Sequence, residues 1–129
     1  TRVTEAEKRE LDLSCLRLAA NGGEPVIAEM TDAFLAAFAA CGLRPESMSP
    51  SMGMAETTLM MSSKAPEALA RPRRFDLRKL RSLLAVETQD PKALARHVMS
   101  CGPALDEFEL RIVDPVTLRA LGEGELGEL

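Results

Sequence analysis

Apolar residues recur at helical spacing from Ile27 through Met30, Phe34 and Phe38 to Cys41. A 3.6-residue repeat gathers such positions on one stripe, so the segment predicts an amphipathic helix. Pro25 stands where a first helical turn tolerates a missing N–H, and Gly42 suits the residue just past the end. Ahead of it, Leu16 to Ala20 is short and almost wholly apolar, which predicts a buried strand closed by a Gly22-Gly23 turn. Near the start of the chain, Thr4 and Glu7 have the spacing of a capping box and Glu5 to Arg9 that of an i,i+4 ion pair. A short helix over 5–10, ending before Asp12, is expected there.

The pattern becomes irregular after residue 50. Residues 50–59 read as a glycine-containing apolar turn followed by a carboxylate and two hydroxyls, and Leu59 to Ser62 as a strand. From Ser62 to Arg74 the chain turns polar and carries two prolines, which predicts a surface loop or insertion. Leu77, Leu80 and Leu84 then fall at helical spacing within or beside the basic segment from Arg71 to Arg81. Asp90-Pro91 looks like a cap and first residue of a helix reaching about His97. Val98 to Cys101 and Glu109 to Val113 are strand candidates, and Asp114-Pro115 starts a turn. The order predicts an α/β fold: a strand-turn-helix unit, an insertion, then short β-strands, divided as 1–62, 63–97 and 98–129.

Composition narrows the partners. The 129 residues are 46% hydrophobic with four aromatics, all Phe, so one domain at most is expected, with a core of Leu, Val, Ala and Met. A net charge of −4 with both signs interspersed gives no nucleic-acid footprint. The basic run reads as a solvated face, or as a surface for an acidic carrier protein or phosphates. Three scattered cysteines without a CxxC pair suggest neither a disulfide framework nor zinc, and point to a reducing cytoplasm. No apolar run approaches the roughly 18 residues of a membrane span. The start at Thr1 and the finish on Leu126-Gly127-Glu128-Leu129, where a strand is expected to begin, read as the ends of a segment cut from a longer polypeptide.

The chemistry suggested is that of a nucleotide and its metal. Gly53 removes a Cβ from the path of a ligand, Glu56 offers oxygen to a hard cation such as Mg²⁺, and Thr57 and Thr58 offer hydroxyls to phosphate. Asn21 to Glu24, beyond the carboxyl end of a strand, fall where open α/β sheets collect ligands. His97 is the only histidine and has no nucleophile and carboxylate around it in sequence, so it is assigned to a helix end or the surface and no triad is expected. Catalysis would rest on positioning and charge stabilisation.

Four blocks, Leu13 to Val26 with Asn21-Gly22-Gly23-Glu24-Pro25-Val26, Pro50 to Leu59, Glu109-Leu110-Arg111-Ile112-Val113-Asp114-Pro115, and Gly122-Glu123-Gly124-Glu125-Leu126-Gly127-Glu128, resemble the fatty acyl-AMP ligases in order and spacing. These form a branch of the adenylate-forming enzymes, beside acyl-CoA synthetases and peptide-synthetase adenylation domains. The resemblance implies an internal part of the large N-terminal domain, with ATP and Mg²⁺ as cofactors. By it, Glu56 is the metal ligand, the backbone of Gly23, Glu24 and Pro25 lies along the adenine, and Met52 packs on its other side where the family has an aromatic residue. Gly53, Met54 and Ala55 complete the loop, the alanine agreeing with the ligase branch, and Thr57 or Thr58 supplies a hydroxyl. Phe75-Asp76-Leu77 with Leu80 resembles the insertion linked in that family to absence of CoA transfer. The implied partners are a fatty acid, an acyl carrier protein or a polyketide or peptide synthetase, and the rest of the parent polypeptide. The family's phosphate loop and catalytic lysine are not among these residues, so the chain by itself is expected to be inactive. The rival readings are a non-catalytic adenylation-like module for interaction or regulation, and a fragment of an acyl-CoA synthetase.

Overall fold

Local signals and tertiary burial share the work of shaping the chain, which a computed structural model describes over residues 3–57 and 59–129. The first helix, α1 (Glu5–Glu10), is made by its cap. The Thr4 hydroxyl accepts from the Glu7 N–H at 3.3 Å, and the Glu7 carboxylate accepts from the Thr4 N–H at 2.7 Å. Two of the orphan donors of the first turn are thereby satisfied. Glu5 pairs with Lys8 at 2.8 Å, one residue short of the Arg9 partner expected from spacing.

Strand β1 is Ala19–Asn21, later and shorter than the 16–20 expectation, because Leu16 is drawn to the core and not into a ladder. Helix α2 (Ala28–Phe38) starts three residues after Pro25, with Ile27 as its cap. It tightens into a 3₁₀ turn over Ala39–Cys41 and stops at Gly42, whose φ of 82° is a left-handed closure that glycine accepts without a Cβ penalty. Phe38, Cys41 and Leu43 form the core cluster, with Leu13, Leu16 and Leu35 packed on it. The buried stripe of α2 runs through Ala28, Thr31 and Phe38. Ile27, Met30 and Phe34, expected to point inward, are 52%, 67% and 40% exposed. The helix is rotated so that half its apolar face borders an open cavity.

A short 3₁₀ turn at Pro45–Ser47 leads into β2 (Met48–Met54), a seven-residue strand where a loop was expected. It lies in the middle of a three-stranded sheet of order β1-β2-β3. β1 runs parallel to it, Ala19 opposite Met48 and Asn21 opposite Pro50, and β3 (Leu59–Ser63) runs antiparallel. Ser49 is completely buried, and its hydroxyl is 2.9 Å from that of Ser63, so the polar pair costs little in the sheet centre.

β4 (Pro72–Asp76) and β5 (Ala95–Met99) form a second, antiparallel pair. Both depart from expectation, since Pro72 to Arg74 were read as loop and Asp90 to His97 as helix. The Asp90 carboxylate accepts from the Lys92 N–H at 2.9 Å and the Asp90 carbonyl from the Ala93 N–H at 3.1 Å, so Asp90-Pro91 makes a tight turn. The chain leaves it extended, and five residues register with β4. Between the two strands, α3 (Leu77–Arg81) is capped by the Asp76 carboxylate and ends before Leu84. Residues 109–113 pair only through Val113, which bridges Ala120 and Glu128. That segment is not a strand. The turn at Asp114 forms as expected, its carboxylate accepting from the Val116 and Thr117 N–H groups at 3.0 and 2.7 Å.

Candidate functional site

The parallel pairing of β1 with β2 ends β1 at Asn21, opposite Pro50, while β2 runs on to Met54. The chain leaves β1 at Asn21 and turns through Gly22 and Gly23, while β2 continues through Ser51, Met52 and Gly53 beside it. A cavity of ≈ 240 Å³ opens between them, lined by Ala20, Gly22, Gly23, Ser51, Met52, Gly53, Leu59 and Met60. A larger one of ≈ 500 Å³, which also touches Ala20 and Gly22, is bounded by Asn21, Glu24, Pro25 and the uncovered side of α2 at Ile27, Met30 and Phe34.

The three glycines at this edge do different things. Gly23, at φ 84° with nothing within 4 Å of an added Cβ, supplies the left-handed turn and faces open space. At Gly22 an added Cβ would sit 2.6 Å from the Ser51 carbonyl oxygen. At Gly53 it would sit 1.5 Å from the Leu59 carbonyl oxygen. Gly53 therefore lets β3 approach β2 at the register shift between Met52 and Gly53, which corrects the expectation that its missing Cβ clears room for a ligand.

The predicted residues separate into two groups. Gly23, Met52 and Gly53 meet at the smaller cavity, and Glu24 and Pro25 line the larger. Met54, Ala55, Glu56 and Thr57 line neither. Met54 is the last residue of β2, and the others form a 3₁₀ turn beyond it. The Glu56 side chain is exposed there. The Thr57 hydroxyl donates to the Met54 carbonyl at 3.0 Å, so its proton closes the turn, leaving its lone pairs for other partners. Thr58 lies outside the described residues. His97 sits on the surface as expected, but on β5, with Nδ1 3.3 Å from Glu29 Oε1 of α2.

Ser51, Leu59 and Met60 belong to the cavity wall and were not singled out from sequence. Ser51 had no signal until β2 was known to be a strand. Leu59 has φ 101°, unusual for a residue with a γ-branched side chain, and is 71% exposed at the cavity mouth. Among the described residues no cluster of three or more His, Cys, Asp or Glu could hold a metal. One exposed carboxylate is the donor set that suits Mg²⁺, which keeps several waters and takes its remaining oxygens from substrate phosphates. Glu56 fits that role.

A strand end that opens on a cavity through a glycine turn is a general ligand edge of α/β sheets, and comparison with known proteins narrows the class. No protein-family model matches the chain. The chain is 35% identical over 130 residues to the medium-chain-fatty-acid–[acyl-carrier-protein] ligase JamA of Moorena producens (strain JHB), covering 99% of this chain and 22% of that protein. A structure from a study of the fatty acyl-adenylate ligases of E. coli and L. pneumophila superposes with a TM-score of 0.90 at 28% identity, over 98% of this chain and 23% of that one. The fatty acyl-adenylate ligase of L. pneumophila in complex with acyl adenylate and pyrophosphate gives 0.88 at 29%, over 98% and 22%. Within the adenylate-forming class, the chain thus matches a segment of the fatty acyl-AMP ligases along nearly its whole length. It spans about a fifth of the length of these relatives.

Proposed function

We propose that this chain forms the adenine and metal side of the nucleotide site in a fatty acyl-AMP ligase, which joins a fatty acid to AMP from ATP and hands the acyl group to a carrier protein. The observation that supports it is the edge where β1 ends in its glycine turn beside Ser51, Met52 and Gly53 of β2, around the cavity that holds Gly23 and Met52. Catalysis would proceed by attack of the fatty-acid carboxylate on the α-phosphorus, forming a new P–O bond as the bond to pyrophosphate breaks. The free backbone faces of Gly23, Glu24 and Pro25 would hold the base, and the Met52 thioether would pack on its other side. Glu56 would carry Mg²⁺, which when bound offsets phosphate charge. Gly53, Met54 and Ala55 would fix the position of the Glu56 turn, which the Thr57 hydroxyl closes on the Met54 carbonyl, and Thr57 or Thr58 would offer a hydroxyl oxygen to the phosphates. The three free thiols Cys15, Cys41 and Cys101 agree with a reducing, cytoplasmic setting, and no described helix is long and apolar enough to cross a membrane.

The test uses a longer protein carrying this segment, assayed for fatty-acid-dependent ATP–pyrophosphate exchange. Glu56→Gln keeps the size and loses the charge, so exchange should fall on the order of 10²-fold and demand more Mg²⁺. Unchanged exchange at limiting Mg²⁺ refutes the metal role, and absence of exchange in the parent refutes the ligase reading in favour of a non-catalytic module. Consumption of CoA by the parent would instead assign it to the acyl-CoA synthetases.

A further inference from the structure

The positive charge of this chain is gathered in one segment that folds as one unit. Residues 71–97 carry eight Lys or Arg against three Asp or Glu, a net of +5, in a chain whose total is −4. Those residues are the β4-α3-β5 unit, so the basic charge is concentrated on one folded element while the remainder is acidic. Inside the unit Arg73 is neutralised by Glu87, and Arg74 is spent on the backbone carbonyls of Thr88, Asp90 and Ala93. The side chains of Arg71, Arg78, Lys79, Arg81, Lys92 and Arg96 are exposed and in no ion pair among the described residues. Arg78 and Lys92 line a polar cleft of ≈ 270 Å³ together with Asp76, Asp90 and Leu94. Leu94 is 61% exposed and Leu83 65%, which sets large apolar side chains among the cations.

We propose that the β4-α3-β5 unit is the docking surface for an acidic protein domain, and that this domain is the acyl carrier that receives the product. The inference rests on the ligase reading for the identity of the carrier, while the charge separation stands independently of it. Arginine beside exposed leucine is the composition of a protein interface. A nucleic acid fits less well, because a long polyanion would run past the patch onto the acidic remainder of the chain, whereas a compact acidic domain can set one face of charges within the roughly 8 Å over which the patch acts at physiological salt. Cation patches of this kind steer encounter and fix orientation. Here they would deliver the carrier next to the nucleotide edge, since β5 is tied to α2 through His97 and Glu29.

The experiment measures binding of a fluorescently labelled acyl carrier protein of negative net charge to this chain by anisotropy, with Arg78→Glu, Lys79→Glu and Arg81→Glu combined, and with the corresponding glutamines in case reversal disturbs the short helix. Circular dichroism checks the fold of each. Reversal should weaken binding at least tenfold, the glutamines should weaken it less, and raising salt should weaken the parent more than either variant. Undiminished binding by the folded variants, no binding by the parent, or equal affinity for a single-stranded oligonucleotide of the same charge overturns the proposal. The same triple change in a longer protein should leave fatty-acid-dependent pyrophosphate exchange intact while slowing transfer to the carrier. Carrier binding retained in a protein without exchange would sink the ligase reading and spare the surface.

Discussion

Gly53→Ala should be the most damaging single-methyl change in this chain. The added Cβ would lie 1.5 Å from the Leu59 carbonyl oxygen, 2.4 Å from the Leu59 carbonyl carbon and 3.0 Å from Met60 Cα. All three are backbone atoms, so no side chain can swing aside, and β2 and β3 must separate where their register already shifts. Overpacking costs about 1–3 kcal/mol, and pulling the strands apart would forfeit about two ladder hydrogen bonds at ~1 kcal/mol each. The sum is about 3–5 kcal/mol, a large part of the stability of a domain this size. At roughly 3–5 °C per kcal/mol, Tm should fall by about 10–20 °C. Gly22→Ala meets the Ser51 carbonyl at the longer 2.6 Å, and Gly23→Ala meets nothing but must adopt φ 84°, a cost of about 1–2 kcal/mol. Urea unfolding of the three variants should therefore rank Gly53 well below Gly22 and Gly23. A Gly53→Ala unfolding free energy within about 1 kcal/mol of the parent would refute the close strand approach and, with it, the geometry of the cavity.

Phe75→Ala should cost about 3 kcal/mol in the same assay, because Phe75 is 9% exposed in the β4-β5 pair, opposite Arg96; a loss under about 1 kcal/mol would show that the unit has no core of its own. Acid should destabilise the fold. The Asp76 carboxyl is held below the usual range chiefly by the Lys79 N–H and that of Asp114 chiefly by the Thr117 N–H, so their stabilisation is complete above the unfolded value of about 3.9 and is lost as pH falls through the lower folded values. Urea midpoints flat from pH 7 to 5 and falling below 4 are expected, and a midpoint that rises on acidification would contradict the assignment. The resemblance of Phe75-Asp76-Leu77 with Leu80 to the insertion linked to absence of CoA transfer predicts that, in a longer protein, replacing 73–89 by a short linker unmasks acyl-CoA formation; an obstacle of about 1–3 kcal/mol would reduce transfer about 5- to 150-fold. A folded, adenylating deletion that still makes no acyl-CoA would show that this segment does not block CoA transfer.

Much of the fold was legible wherever a local signal and burial agreed. Thr4 and Glu7 close the capping box that their spacing predicts, Gly42 ends the α2 segment in the left-handed conformation, and Asp114 makes its turn. The family resemblance was legible because turns of this kind are held by short runs of residues, Asn21 to Val26 and Pro50 to Leu59, whose order survives in the chain. Asp90-Pro91 misled because a helix cap and a tight turn use the same carboxylate-to-N–H bonds, and only the pairing of Ala95–Met99 with β4, some twenty residues distant in sequence, decides between them. The uncovered side of α2 misled for the opposite reason. Its apolar period is real, but Ile27, Met30 and Phe34 border a cavity, and a pattern reports that a face is apolar without saying what covers it.

The strand that sequence could not show is also the one that builds the site. Ser49, Pro50, Ser51 and Gly53 are poor strand formers, and Pro50 cannot donate to a ladder. β2 is nevertheless the central strand, with Ser49 and Pro50 among the most buried side chains of the molecule. Such a strand exists only because β1 and β3 close on either side of it, and the small residues are what allow the closure, as the contacts at Gly22 and Gly53 demonstrate. Each larger or more strand-prone residue would gain local propensity and lose the close approach. β2 is thereby held by non-local pairing on both sides, with Ser51 against the glycine turn after β1. Local rules are commonly broken at functional sites, and here the break lies in the strand that carries Met52 to the cavity and leads directly into the turn bearing Glu56.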